Sequence, residues 1–182
     1  TGAASGIGGR TAKLLVDRGG RVLALDVNEV ALHELARGWP AERTGVRRLD
    51  VREADSWAAA LDDARGRWGR IDVLMNVAGV LIPGRAHEAP LETLERQLDI
   101  NAKGLMIGTR LATELMVRQG HGHVVNIASL AALVPVPGIG AYSASKFAVR
   151  AYSLAAAREL APRGVSVSVV CPDLVDTPML DA

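Results

Sequence analysis

Thr1-Gly2-Ala3-Ala4-Ser5-Gly6-Ile7-Gly8 opens the chain, and how these residues are read decides the fold. Glycines at 2, 6 and 8 have separable uses: a tight turn, close approach of backbone to a phosphate, and close packing of a helix on a sheet. Residues 7–18 carry a helical pattern, so the turn sits at a helix mouth, where free amides and the positive end of the dipole favour an anion. A glycine-rich turn alone is a weak signal. It gains weight because residues 21–26 read as a strand ending on an acid, Asp26, at the spacing that suits a ribose-binding carboxylate.

Downstream the alternation is regular. Residues 29–37 read as a helix, 46–49 as a strand, 55–68 as a helix and 71–76 as a strand. Residues 91–119 carry helical periodicity with a possible break near Asn101; 123–127 read as a strand, 142–161 as a helix and 165–170 as the last strand. Strands interleaved with helices in this way predict parallel βαβ units. The expected fold is α/β, a Rossmann-type doubly wound parallel sheet in three α/β/α layers, with residues 1–182 forming a single dinucleotide-binding domain. A phosphate turn of this kind needs a strand leading into it, and none precedes Thr1. In a doubly wound sheet that strand is the central one, and an empty central slot leaves two rows of backbone groups unpaired. The sequence therefore predicts that these residues belong to a longer polypeptide.

Composition narrows the function classes. The chain has 182 residues, 49% of them hydrophobic but only 3% aromatic, which points to a sizeable core of Ala, Val, Leu and Ile. A net charge of +1 argues against a broad nucleic-acid footprint. Arg43, Arg47 and Arg48 read as a solvated edge. No apolar run reaches the ~18 residues of a membrane span. The single cysteine, Cys171, excludes an internal disulfide, reads as a small core residue, and fits a reducing, cytoplasmic setting. His121 and His123 flank Gly122 without a third ligand, so no metal is implied.

Tyr142-Ser143-Ala144-Ser145-Lys146 is the chemical counterpart of the glycine turn. On a helix Tyr142 and Lys146 share one face. A free tyrosine loses its proton near pH ~10. A neighbouring ammonium favours the phenolate and brings the hydroxyl toward a working range for proton transfer. Ser129 follows the strand at 123–127, where a turn aims its hydroxyl at the same target.

The glycine turn, Asn76-Val77-Ala78-Gly79, Asn101, Ser129 and the Tyr142/Lys146 pair together resemble the short-chain dehydrogenase/reductase family, and the resemblance spans the whole chain. It implies a catalytic tetrad of Asn101, Ser129, Tyr142 and Lys146. Tyr142 would exchange a proton with the substrate oxygen and Ser129 would polarise that oxygen. Lys146 would lower the phenol's pKa and hold the nicotinamide ribose, while the Asn101 carbonyl would hold a water. It further implies a cofactor site of Gly2, Ser5, Gly6, Ile7, Gly8, Asp26, Asp50, Val51, Asn76, Ala78, Gly79, Tyr142, Lys146, Pro172, Val175 and Thr177. Asn76 has a competing role, tying strands together through side-chain hydrogen bonds. Asp26 competes as a cap for the helix at Glu29.

As a cofactor ligand, Asp26 would accept from both ribose hydroxyls of NAD and repel the 2′-phosphate of NADP. Basic residues that serve NADP in relatives are replaced here by Ser5 and Val27, so NAD is expected. The chain departs from the family in two places. Val77 stands where a second Asn is common, and Pro172-Asp173 stands where Pro-Gly is common, which adds a charge near the cofactor.

The resemblance implies an oxidoreductase transferring a hydride between NAD(H) and a secondary alcohol or ketone. Residues 80–83, 130–139 and Leu174 are poor in charge and give the substrate an apolar body. An NADPH-dependent 3-oxoacyl thioester reductase is the alternative within the fold. A non-catalytic dinucleotide-binding sensor or scaffold is the alternative outside it. Family helices equivalent to 91–119 and 142–161 pair across a two-fold axis, and Met106, Leu111, Leu115, Phe147, Val149 and Leu154 make a homodimer or homotetramer the expectation.

Overall fold

The computed structural model describes the backbone of residues 1–181 and the side chains of residues 1–179. Strands β1 (Val22–Asp26) and β2 (Thr44–Arg48) form one parallel pair, Val22 opposite Thr44 and Asp26 opposite Arg48. Strands β3 (Val73–Asn76), β4 (Gly122–Ile127) and β5 (Val165–Val170) form a second parallel sheet in that order. The start of the chain lies between the two sheets. The Thr1 nitrogen donates to the Met75 carbonyl at 2.8 Å and the Ala3 amide donates to the Leu25 carbonyl at 3.1 Å. Thr1 to Ala3 thus bridge β1 and β3, at the central position the alternation pattern required.

Helices cover β1 on both faces, as neighbouring side chains show. Ala24 packs with Ala12 of α1 (Gly6–Asp17) and Leu32 of α2 (Glu29–Leu35). Leu25, pointing the other way, joins Trp57 and Leu61 of α3 (Ala54–Trp68) and Ala112 and Met116 of α5 (Leu105–Gln119). Successive strand residues point to opposite faces, so this division requires three layers. A third cluster of Leu105, Ala128, Ala132 and Val149 seats α6 (Gly140–Leu160) beside the start of α5. No helix among the described residues is long and apolar enough to cross a membrane.

Several boundaries moved for identifiable reasons. The strand expected from residue 71 begins at Val73, because the Gln119 side chain occupies the Ile71 backbone: its Oε1 accepts from the amide at 3.0 Å and its Nε2 donates to the carbonyl at 2.9 Å. The helix expected to reach residue 37 stops at Leu35 and unwinds through tight turns to Gly38, whose φ is 81°. The possible break near Asn101 is a change of helix type rather than a gap between helices. Helix α4 (Leu91–Leu98) runs through a π-turn, Asp99–Gly104, directly into α5. The inserted residue re-aims the buried Asn101 side chain, the usual use of a π-turn at a functional site. Gly104 fits this crossing because a Cβ there would lie 2.8 Å from the Val51 side chain.

Of the apolar residues expected on an outer helix face, Val149 is fully buried and Leu111 and Leu115 pack against the core. Phe147 and Leu154 remain exposed, at 38% and 44%.

Gly108 lets α5 lie flat on α3, since a Cβ there would run into the fully buried Trp57 ring. That ring is also tethered, with its Nε1 donating to the Val51 carbonyl at 2.9 Å. Gly108→Ala is therefore expected to lower unfolding stability by about 1–3 kcal/mol, the range for overpacking a core. Urea unfolding measures this, and an unchanged midpoint would mean that Trp57 yields at no cost.

Candidate active site

All five strands point their carboxyl ends at one edge, where their loops enclose a cleft of about 940 Å³. At one end is the glycine turn. Gly2 and Gly6 have φ of 66° and 51°, a region that side chains rarely adopt. A Cβ on Gly2 would sit 2.8 Å from the Ala78 backbone, and one on Gly8 would run into the Gly2 carbonyl. The Thr1 hydroxyl accepts from the Val77 and Ala78 amides at 3.0 and 3.1 Å, locking the turn to the end of β3. The first turn of α1 thus opens into the cleft, where the absence of side chains leaves room for an anion at its amides.

Asp26 ends β1 on the cleft wall. Its Oδ2 accepts from the Ala4 amide at 3.0 Å and its Oδ1 from the Asn28 amide at 2.9 Å. It does not cap α2. Asn28 does, accepting from the Ala31 amide at 3.1 Å. Asp50, at the end of β2, is gripped by Arg52: Nε donates to Oδ1 at 2.9 Å and Nη2 to Oδ2 at 2.6 Å. Hydrogen bonding from Arg52 holds the Asp50 carboxyl down at about 2. Arg52 lines the cleft with Asp50 and Val51, and the sequence reading passed over it. A base two residues after a strand-ending acid was the available sign.

At the other end Ser129, Tyr142 and Lys146 meet. The Ser129 hydroxyl accepts from the Ala131 amide at 3.1 Å, starting a 3₁₀ turn. Helix α6 begins at Gly140, so Tyr142 lies in its first turn and Lys146 one turn later. Lys146 is buried, its Nζ donating to the Ile127 carbonyl at 2.9 Å and lying 5.6 Å from the centre of the Tyr142 ring. The expected effect of Lys146 on the phenol is not present in this arrangement. Burial pushes the Tyr142 hydroxyl up, the Ser129 hydroxyl offsetting part of that, and burial pushes Lys146 down to about 8. The ammonium lies near the ring and is bonded to the Ile127 carbonyl, and desolvation dominates both groups.

Asn101 works through its side chain. Its Oδ1 accepts from the Val80 amide at 2.8 Å, and its Nδ2 donates to the Val80 carbonyl at 2.8 Å and to the Ser145 hydroxyl at 3.0 Å. Ser145 donates on to the Tyr142 carbonyl at 2.7 Å. The π-turn therefore clamps the loop after β3 to the helix that carries Tyr142. Ser145 went unremarked in the sequence, although a polar residue one helical turn after Tyr142 marks that face. Asn76 lies beneath the cleft rather than in its wall, its Nδ2 donating to Thr109 at 3.1 Å and to Asn126 at 2.9 Å. This is the strand-tying role that competed for it. The cleft wall includes every other expected residue apart from Asn101: the glycine turn with Ser5 and Ile7, Asp26, Asp50, Val51, Ala78, Gly79, Ser129, Tyr142, Lys146, Pro172, Val175 and Thr177.

Comparison with known proteins gives the same grouping. The short chain dehydrogenase family profile matches residues 1–182. The chain is 38% identical to a 2-(R)-hydroxypropyl-CoM dehydrogenase of Xanthobacter autotrophicus, over 98% of this chain and 74% of that protein. It is 36% identical to 2,5-dichloro-2,5-cyclohexadiene-1,4-diol dehydrogenase LinX of Sphingobium indicum, over 98% of this chain and 72% of that protein. A crystal structure of a short chain dehydrogenase/reductase from Burkholderia phymatum in complex with NAD superposes with a TM-score of 0.93 at 31% identity, over 100% of this chain and 66% of that one. Against a Streptomyces avermitilis short-chain dehydrogenase structure the chain spans 62% of the length.

Burying Lys146 has a measurable consequence. Its folded value of about 8 lies below its ordinary 10.5, so between these pH values the unfolded chain holds a proton the folded chain has released. Stability therefore rises with pH across that window, by at most about 3 kcal/mol, and the penalty is fully present below it. Relative to Lys146→Met, the wild type is expected to gain stability between pH 8 and 10.5. Urea unfolding at both ends measures the difference, and a constant difference would contradict the burial effect.

Proposed function

The chain belongs to the short-chain dehydrogenase family, and on that premise we propose that it interconverts a secondary alcohol and a ketone using NAD(H). The observation carrying this reading is the convergence of Ser129, Tyr142 and Lys146 at one end of a cleft whose other end is the glycine turn and Asp26. When bound, the nicotinamide supplies or receives the hydride.

This chain's own residues hold, orient and protonate. Amides of the glycine turn receive the pyrophosphate, and the remaining lone pairs of Asp26 accept from the ribose hydroxyls. The Tyr142 hydroxyl gives its proton to the carbonyl oxygen in reduction and takes one from the alcohol in oxidation. Ser129 donates to the same oxygen, and Lys146 supplies positive charge beneath the ring. Asn101 and Ser145 keep the cleft wall and α6 in register. The preference for NAD over NADP rests on Asp26, fixed by two amides at the cleft wall where a 2′-phosphate would be repelled. An apolar substrate body is supported by Leu81, Leu130, Val134, Val136, Ile139 and Leu174, all in the cleft wall.

The exposed stripe of Ala144, Phe147, Ala151, Leu154 and Ala155 on α6 supports self-association of the intact protein. Sedimentation of the wild type and of Phe147→Glu tests this, with dissociation expected in the variant; a monomeric wild type refutes it.

The activity is tested with a panel of secondary alcohols and ketones, followed by absorbance of the reduced cofactor. NADH is expected to outperform NADPH at equal concentration. Tyr142→Phe is expected to lose turnover by about 100-fold or more, the scale of a general acid–base group, with NADH affinity nearly unchanged. Retained turnover in that variant, or faster turnover with NADPH, would each overturn the corresponding assignment.

A further inference from the structure

We propose that Asp173 biases the cleft toward the oxidised form of the dinucleotide, an inference that rests on the function proposed above. The segment carrying it spans the cleft between two fixed points. At one end the Leu130 amide donates to the Pro172 carbonyl at 2.7 Å, one residue past Ser129. At the other, the Thr177 side chain lies against the glycine turn, 3.3 Å from where a Cβ on Gly6 would be. Residues 172–177 therefore cross from the Ser129 side of the cleft to the glycine turn. A dinucleotide with its phosphates on that turn and its reactive ring beside Tyr142 has this segment along its nicotinamide half.

Asp173 lines the cleft, is exposed within it, and among the described residues is hydrogen-bonded only to the Leu174 amide, which donates to Oδ1 at 2.8 Å. The cleft's other two acids are bonded differently. Asp26 uses both oxygens on the Ala4 and Asn28 amides, and Asp50 uses both on Arg52. Asp50 is therefore charge-paired and Asp26 keeps its charge at the glycine-turn end, while Asp173, on the segment along the nicotinamide half, is the cleft-lining carboxylate with no basic partner among the described residues.

The redox form of the ligand decides what that charge does. The nicotinamide ring is cationic when oxidised and neutral when reduced, while the pyrophosphate carries the same charge in both. Any repulsion between Asp173 and the phosphates weakens both forms equally and cancels from their affinity ratio. Attraction for the ring acts on the oxidised form alone. The carboxylate therefore raises affinity for NAD⁺ relative to NADH.

Equilibrium titration of the intact protein with NAD⁺ and with NADH tests the proposal without requiring turnover. Asp173→Asn, which keeps the bond to the Leu174 amide, is expected to raise the NAD⁺ Kd about three- to fivefold, the scale of an exposed charge pair, and the NADH Kd by less than about twofold. Asp173→Gly is expected to shift the ratio in the same direction. Asp176→Asn, on the same segment but outside the cleft wall, is expected to leave the ratio unchanged. Raising the salt is expected to shrink the wild-type preference. An unaltered NAD⁺/NADH ratio in both Asp173 variants, whether both constants move or neither does, overturns the proposal. A wild type that binds neither nucleotide overturns the functional reading itself, and that failure appears before any substitution is made.

Discussion

The close approach of two pieces of backbone, the glycine turn and the end of β3, is the constraint on which the cleft depends. Gly2 lies where a Cβ would press on the Ala78 backbone, and the helix behind it comes so near that Gly8 has no room for a side chain beside the Gly2 carbonyl. The Thr1 hydroxyl fixes this contact by accepting two amides of the facing loop. With the turn held there, the N-terminus of α1 opens into the cleft, and Asp26 reaches back to bond the turn at Ala4. Larger residues at these glycines would force the sheet and helix apart and close the space at the mouth of α1.

A second layer of order comes from buried polar side chains. Asn76, Thr109, Asn126 and Ser153 form a chain that joins β3, α5, β4 and α6. Asn101 and Ser145 do the same between the loop after β3 and α6. An apolar core can slide by small amounts at little cost. Hydrogen bonds in a low-dielectric interior fix distances, and leaving any of these groups unpartnered costs about 1–3 kcal/mol each. The network therefore sets the spacing between the strand ends and the helix that bears Tyr142 and Lys146.

The fold accepts instability to present that pair. A buried ammonium bonded to one carbonyl, beneath a phenol that burial pushes upward, is poorer for stability than an apolar pair of the same size. Both groups are consequently sensitive to what enters the cleft: a ligand that hydrogen-bonds the ammonium or the phenol changes the balance that desolvation sets here.

The sequence by itself determined the order of strands and helices and the glycine turn with its acid, and its family resemblance named most of the residues that line the cleft, though it also named Asn76 and Asn101 and passed over Arg52. The elements and the turn follow from local rules, namely the periodicity of apolar residues, the sterics of glycine and the spacing of a helical turn, whereas the cleft residues follow from the resemblance. Tertiary structure alone decided what those residues touch. Residues 91–119 read as a helical pattern with a possible break near Asn101, yet only the crossing over Val51 and the demand of Val80 for both its backbone bonds explain why the interruption is a π-turn that carries Asn101 inward. The Tyr142–Lys146 spacing was legible, but the pairing of Lys146 with the Ile127 carbonyl was not, because that partner comes from a strand fixed by the whole sheet. Desolvation is likewise a property of everything packed around a group, which is why the direction of the Tyr142 shift emerged only with the fold.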